Sequence, residues 1–324
     1  MKRVIYICVV SQIFFSCFAG KKNNSDISFN EIDIFKGKNK IDSLQTVEQV
    51  INFAKSINPD FARKNFGTLQ IKSTELIVKE LNNCNLYKNW DIPNWQKIDL
   101  NNDGKTDLLF TAYWYSSYRQ YAILETGTDQ YKLFDLSDNL NFACKILKPI
   151  VVNRRNELLV NNYRLYSENL SKPLTIHLTD TLTYKFNSFI EINKKVVHYD
   201  IEYIKFILDK HFEIEIDSNY NANYICLDVW NVSNLQGNFY RGNSKKKIGQ
   251  AAFTEIANLL EYINVKELSN NYILDGYDFD TVFIEIKFKN GDIKKITDYG
   301  YQGTYGLQAV YNKMKKLAQE TEWN

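Results

Sequence analysis

The sequence predicts an α+β protein of two domains, each a mainly antiparallel sheet packed with a few helices. Three observations carry that expectation. Short apolar runs alternate with polar residues at a period of two and are separated by tight-turn signals, as half-buried antiparallel strands require. Only four stretches keep apolar residues at helical spacing. The chain has 324 residues, of which 44% are hydrophobic and 15% aromatic, which is enough for two ordinary cores.

The N-terminus reads as an export signal. Lys2 and Arg3 precede the apolar run Val4 to Phe15, and Ser16-Cys17 follows. That run is too short to span a bilayer as a helix. Phe14-Phe15-Ser16-Cys17 resembles a bacterial lipobox, and the resemblance implies lipidation of Cys17 and a membrane anchor. Cleavage near Ala19-Gly20 is the alternative. Residues 18–43, rich in Lys, Asn, Ser and Asp, read as a flexible tether. The expected location is the cell envelope, facing the periplasm or the cell surface. Forty basic residues against 38 acidic ones give a net charge of +2, so no global electrostatic case exists for nucleic acid as a partner.

The first domain is expected over residues 44–198. Val47, Val50, Ile51 and Ala54 place a helix from Thr46 to Ile57, ended by Asn58-Pro59. A second helix is expected from Thr74 to Asn82 with Ser73 as its cap. Strands follow at Gln96–Leu100, Asp107–Trp114, Arg119–Glu125, Tyr131–Leu136, Ala143–Val152, Glu157–Val160, Pro173–Leu178 and Leu182–Ile190. Thr126-Gly-Thr-Asp129 marks a hairpin.

Between two of these strands lies the segment whose spacing implies specific chemistry. Oxygen-bearing side chains fall at Asp99, Asn101, Asp103 and Asp107, with Gly104 at the sharp turn and Lys105 offering its backbone carbonyl. A hard cation takes about six to eight oxygens, and crowded carboxylates repel one another without one, so calcium is the expected cofactor. An empty Asp-Gly turn is the alternative. The segment resembles the DxNxDGxxDLL loop of FG-GAP (VCBS-type) repeats, in which a calcium loop joins two strands. One copy is present, so no propeller is implied. Next to it, Tyr113, Trp114, Tyr115, Tyr118 and Tyr121 form an aromatic cluster, readable as a binding face for a glycan or protein partner or as strand core.

Export implies an oxidising compartment, in which Cys84 and Cys144 are a possible disulfide pair; Cys226, in an apolar run, reads as a buried thiol. His177, His198 and His211 are isolated and read as structural or surface residues.

The second domain is expected over residues 199–324. Phe253, Ile256, Ala257, Leu260 and Ile263 define one helix. Leu307, Val310, Tyr311, Met314 and Leu317 define another, capped by Thr304, with Lys313, Lys315 and Lys316 complementing the dipole near its end. Strands are expected at Ile201–Leu208, Phe212–Ile216, Tyr224–Trp230 and Val282–Phe288, the last returning through Asn290-Gly291 to Asp292–Thr297. The run Asn258–Asn264, Leu268, Tyr272, Lys294-Lys-Ile296 and above all Asp298-Tyr-Gly-Tyr-Gln-Gly-Thr-Tyr-Gly-Leu307 resemble a domain-of-unknown-function family of exported bacterial lipoproteins. Members often carry Cys-Phe-Gly-x-Cys-Pro between their first two strands; Asp209-Lys-His-Phe212 stands there instead. Gly300, Gly303 and Gly306 read either as a tight turn or as backbone donors for an anion at the helix start.

Two functional readings follow. One is a calcium-stabilised binding or structural module without catalysis. The other is a hydrolase acting on polysaccharide or envelope material through paired carboxylates, with Asp275, Asp278 and Asp280 as candidates.

Overall fold

The computed structural model describes residues 39–63, 67–80, 90, 92–137, 146–166, 174–235, 237–274 and 278–323. The expected leader, most of the tether, Cys17, Cys84, Cys144 and Asp275 lie outside them.

Helix α1 (Val47–Ile57) starts as its sequence requires. Thr46 accepts the Gln49 N–H, and the Gln49 side chain returns to the cap backbone. Such a capping box contributes about 1 kcal/mol. α2 (Thr74–Glu80) begins after Ser73, whose hydroxyl accepts the Leu76 N–H.

The first sheet consists of β1 (Gln70–Ile71), β2 (Trp95–Ile98), β3 (Asp107–Trp114), β4 (Ser117–Gly127) and β5 (Gln130–Asp135). β3 is central, and both faces of β3 and β4 are covered. Leu108, Phe110, Ala112, Tyr121 and Ile123 pack under Val50, Phe53 and Ala54 of α1. Leu109, Ala122 and Leu124 face the opposite way, into a core shared with β6 (Leu147–Val152), β7 (Arg155–Tyr166), β8 (Leu174–Lys185) and β9 (Ser188–Glu191). Burial on both sides explains why β3 reads as an almost unbroken apolar run.

Two expected strands, Pro173–Leu178 and Leu182–Ile190, are partitioned differently. β8 runs through Thr179–Thr181, which ladder with Leu159–Asn161 of β7. The break comes instead at Phe186-Asn187, both at positive φ, where the chain turns back into β9.

Among the described residues the second sheet has eleven strands. It continues with β10 (Ile201–Leu208), β11 (Phe212–Asp217), β12 (Asn221–Cys226), β13 (Asn243–Lys247), β14 (Asn271–Ile273), β15 (Thr281–Phe288) and β16 (Ile293–Tyr299). Ile204, Phe206 and Leu208 stand opposite Ile286, Ile284 and Val282 and are buried under α4 (Gln250–Tyr262) and α5 (Tyr305–Glu320). The strand expected at Tyr224–Trp230 ends at Cys226, because Asp228 accepts the Trp230 and Asn231 N–H groups and starts the short helix α3 (Val229–Asn234). β14 pairs in parallel with β16 and antiparallel with β7, so this sheet runs on both sides of residues 198–199. Residues Gly37–Asn324 form one compact unit.

Candidate functional site

Loop 99–107 joins β2 to β3. Asn102 at φ +59° and Gly104 at φ +88° reverse the chain. The Asp103 N–H donates to Asp99 Oδ1 (3.1 Å) and Asn101 Oδ1 (3.0 Å), so these two oxygens converge on one nitrogen. The Gly104 N–H donates to Asp99 Oδ2 (2.9 Å), and the Lys105 N–H to Asp103 Oδ1 (2.9 Å). Asp107 sits beneath the loop, fully buried. Its Oδ2 accepts the Leu100 N–H (2.8 Å) and its Oδ1 accepts the Glu125 N–H (3.0 Å). Burial lifts this carboxyl to about 7, against the lowering effect of those two donors, and Asp103 nearby adds to the rise.

The loop is also fastened to the second sheet. Asn156, at the start of β7, donates through Nδ2 to the Asp99 carbonyl (2.8 Å) and exchanges two bonds with the Asn102 side chain (2.8 and 3.0 Å). Nothing in the sequence around Asn156 announces this role, which depends on a contact 54 residues away. The Lys105 ammonium lies 3.5 Å from the buried Glu125 carboxylate.

The donor set fits a hard cation in part. Asp99, Asn101 and Asp103 present oxygens around one turn, whereas both oxygens of Asp107 accept backbone N–H groups, one from Leu100 in the loop and one from Glu125 in β4. Among the described residues, no group of three or more His, Cys, Asp or Glu side chains stands ready to hold a metal. The N–H groups of Asp103, Gly104 and Lys105 place partial positive charge beside these oxygens.

The aromatic cluster divides. Tyr118 and Tyr121 are buried, with Phe61 edge-on to Trp114 and Tyr121, while Tyr115 is 57% exposed. Tyr113 and Trp114 are half-buried against these cores, and Tyr115 stands at the rim.

The glycine-rich segment before α5 has a compact explanation. Asp298, fully buried at the end of β16, accepts the Gln302 N–H (2.7 Å) and the Gly303 N–H (2.8 Å). Gly300 turns at φ +79° with Leu274 against it. A Cβ at Gly303 would lie 2.7 Å from Asp298 Oδ2, and one at Gly306 would strike Ile263. The first turn of α5 does bind an anion, but an internal one: Glu191 on β9 accepts the Tyr305 N–H (2.7 Å) and the Gly306 N–H (2.8 Å). Glu191 went unnoticed in the sequence because it lies 115 residues from Gly306.

Residues 210–318 match the model of a domain of unknown function, DUF6438. The match runs from the start of β11 into α5 and includes Asp298 and all three glycines. No curated protein and no solved structure matches the chain.

The remaining candidates are dispersed. Of the three proposed carboxylates, Asp278 is exposed at φ +61° and Asp280 lies 3.2 Å from His211 Nε2. His198 lies 3.0 Å from Glu261. Cys226 is a half-buried free thiol whose pKa burial pushes up. Lys315 stands out among these groups. It is half-buried on α5, donates to the Tyr301 hydroxyl (2.8 Å) and lies 4.3 Å from that ring's centre. Burial brings its ammonium down to about 8, with Asp280 opposing.

Proposed function

We propose that residues 39–323 are a non-catalytic binding or structural module of an exported envelope protein, anchored by lipid on Cys17, in which calcium steadies loop 99–107. The observation that carries the module reading is the state of the loop. Its side-chain oxygens are turned onto its own backbone and onto β4, and Asn156 fastens it to β7. Groups committed in this way hold two sheets together; they do not await a substrate. Export and anchoring rest on Lys2-Arg3, the apolar run that follows and Ser16-Cys17. Among the described residues, no helix is long and apolar enough to cross a membrane.

Calcium at the loop would take side-chain oxygens of Asp99, Asn101 and Asp103 and the Lys105 carbonyl, with water completing the shell. Asp107 would hold the loop from beneath. The ion supplies positive charge that the loop's N–H groups provide only in part.

Thermal unfolding of the purified protein in calcium, in magnesium and in chelator tests this. At a hundredfold excess over Kd a bound ion contributes about 2.7 kcal/mol, a rise of roughly 4–5 °C for a chain of this size. Asp99→Ala is expected to abolish the rise. An unchanged melting temperature together with no calcium by elemental analysis removes the ion and leaves the hydrogen-bonded staple. Incorporation of labelled fatty acid into the wild-type chain but not into Cys17→Ser tests the anchor.

A further inference from the structure

The large sheet ends in an open edge. β13 (Asn243–Lys247) pairs with β12 on one side and has no strand on the other among the described residues. The Cys226 N–H donates to the Gly242 carbonyl and the Ile248 N–H to the Tyr220 carbonyl, which fixes the phase of the ladder. Ser244 and Lys246 therefore exchange bonds with β12, while Asn243, Lys245 and Lys247 turn their backbone N–H and C=O groups outward. Among the described residues, no hydrogen bond reaches those outward groups.

Beside this edge, across β10 to β13, lies a groove of about 770 Å³ lined by Tyr203, Glu215, Asp217, Asn223, Lys245 and Lys247, among others. Glu202 has a cation of its own, Glu213 and Glu215 share one, and Asp217 takes neutral donors. Lys205 lies 2.6 Å from Glu213 and 3.0 Å from Glu215, and Lys287 lies 2.8 Å from Glu202. Asp217 accepts donors from Asn219 and Asn221. The cations on β13 are not matched in the same way. Lys245 is exposed and no ion pair reaches it among the described residues; Lys247 feels Asp217 only at longer range. Lys246 points to the other face, towards the Glu322 carbonyl. The groove thus carries both signs, and the exposed lysines of β13 stand on its rim along a row of free backbone donors and acceptors.

We propose that β13 accepts an acidic, extended peptide segment of a partner protein as an added strand, with carboxylates at alternate positions meeting Lys245 and Lys247. Both requirements are on the edge itself. Outward N–H and C=O groups at a two-residue repeat suit a strand, and lysines at the same repeat suit alternate acidic side chains. Lysine on an edge also repels a second copy of the same strand, which keeps the edge from pairing with itself while leaving it open to a segment of opposite charge. An anionic glycan would meet the lysines but would not need the backbone row.

This inference rests on the reading of the chain as a binding module. The test uses the whole chain and a fluorescein-labelled peptide of alternating glutamate and threonine, followed by fluorescence anisotropy at low and high salt. A matching peptide of the same sequence with every backbone nitrogen methylated keeps the charge and removes all the backbone donors. The expected result is binding of the first peptide and not the second, weakened by salt and weakened about two- to thirtyfold by Lys245→Gln/Lys247→Gln. Lys247→Pro, at an edge position whose N–H faces solvent, is expected to weaken binding more than Lys247→Gln. Equal binding of the two peptides overturns strand addition and leaves contact by charge alone, as a glycan would make. No binding, or binding indifferent to the lysine changes, overturns the surface altogether. Capture of an envelope partner by the lipidated protein, unaffected by the lysine changes, would then show that the module reading survives its loss.

Discussion

Lys315 shows how much a single side chain can hide from a sequence. Its place near the end of a helical pattern suggests a cation complementing the helix dipole. In the fold, α5 runs on to Glu320, and Lys313 instead pairs with Glu255 (2.5 Å) while Lys315 turns onto Tyr301. Burial makes its charged form costly, so its ammonium loses a proton near pH 8, whereas the unfolded chain keeps that proton to about 10.5. Below pH 8 both states are protonated and the cost is constant. Between about 8 and 10 the unfolded state binds more protons, so stability rises with pH. Above 10 the trend reverses, because burial keeps the hydroxyls of Tyr121, Tyr224, Tyr301 and Tyr311 protonated beyond the usual phenol range. Urea unfolding at pH 7 and pH 9.5 is expected to show wild type gaining about 1–3 kcal/mol over the window relative to Lys315→Met, which carries no proton to lose. A variant with the same pH slope as wild type would mean that Lys315 is solvated and its charge inexpensive.

At the scale of an element, the start of α5 is held from two directions. Asp298 closes the turn before it, and Glu191 supplies the anion that its first N–H groups attract. Glu191→Ala is expected to lower stability by about 1–3 kcal/mol, the range for leaving buried donors without their charged acceptor. Glu191→Gln is expected to lose less, since one oxygen remains. Gly306→Ala fails for a different reason: its methyl group meets Ile263, at about 1–3 kcal/mol for overpacking. Chemical denaturation of the three variants checks the order, and three values within about 0.5 kcal/mol of wild type would show that the helix start is held by something else. The helix itself was legible because its apolar residues recur at helical spacing and Thr304 caps it, accepting the Leu307 N–H. β3, β10 and the hairpin at Asn290-Gly291 were legible for equally local reasons. What escaped was set by pairing: Thr179–Thr181 look like a turn in isolation and become strand only because β7 lies beside them. β13 carries three consecutive lysines and no apolar alternation, so only its ladder with β12 makes it a strand.

For the whole molecule, the sequence offers a division near residue 198, and the cores do largely segregate around it. Among the described residues, one runs from Ile190 to Trp323, and three others lie between Ile41 and Phe189. The hydrogen bonds cross that line. β14 pairs with β7, Glu191 caps α5, the Tyr305 hydroxyl donates to the Leu136 carbonyl (3.0 Å), and Asn193 Nδ2 donates to the Tyr262 carbonyl (2.5 Å). None of these contacts leaves a mark in local composition, because each joins residues more than sixty positions apart. They make a definite expectation. Residues Lys194 to Val196 are exposed in the link between β9 and β10, so a protease site placed there can be cut without touching a strand. If the crossing bonds and the burial of Ile190, itself about 1.5–3 kcal/mol, bind the halves to each other, the nicked protein elutes as one species in gel filtration. It also melts in a single transition, within a few degrees of the uncut chain. Fragments that separate on the column, or that melt at two temperatures, would mean that each half is stable on its own and that the shared sheet adds little to either.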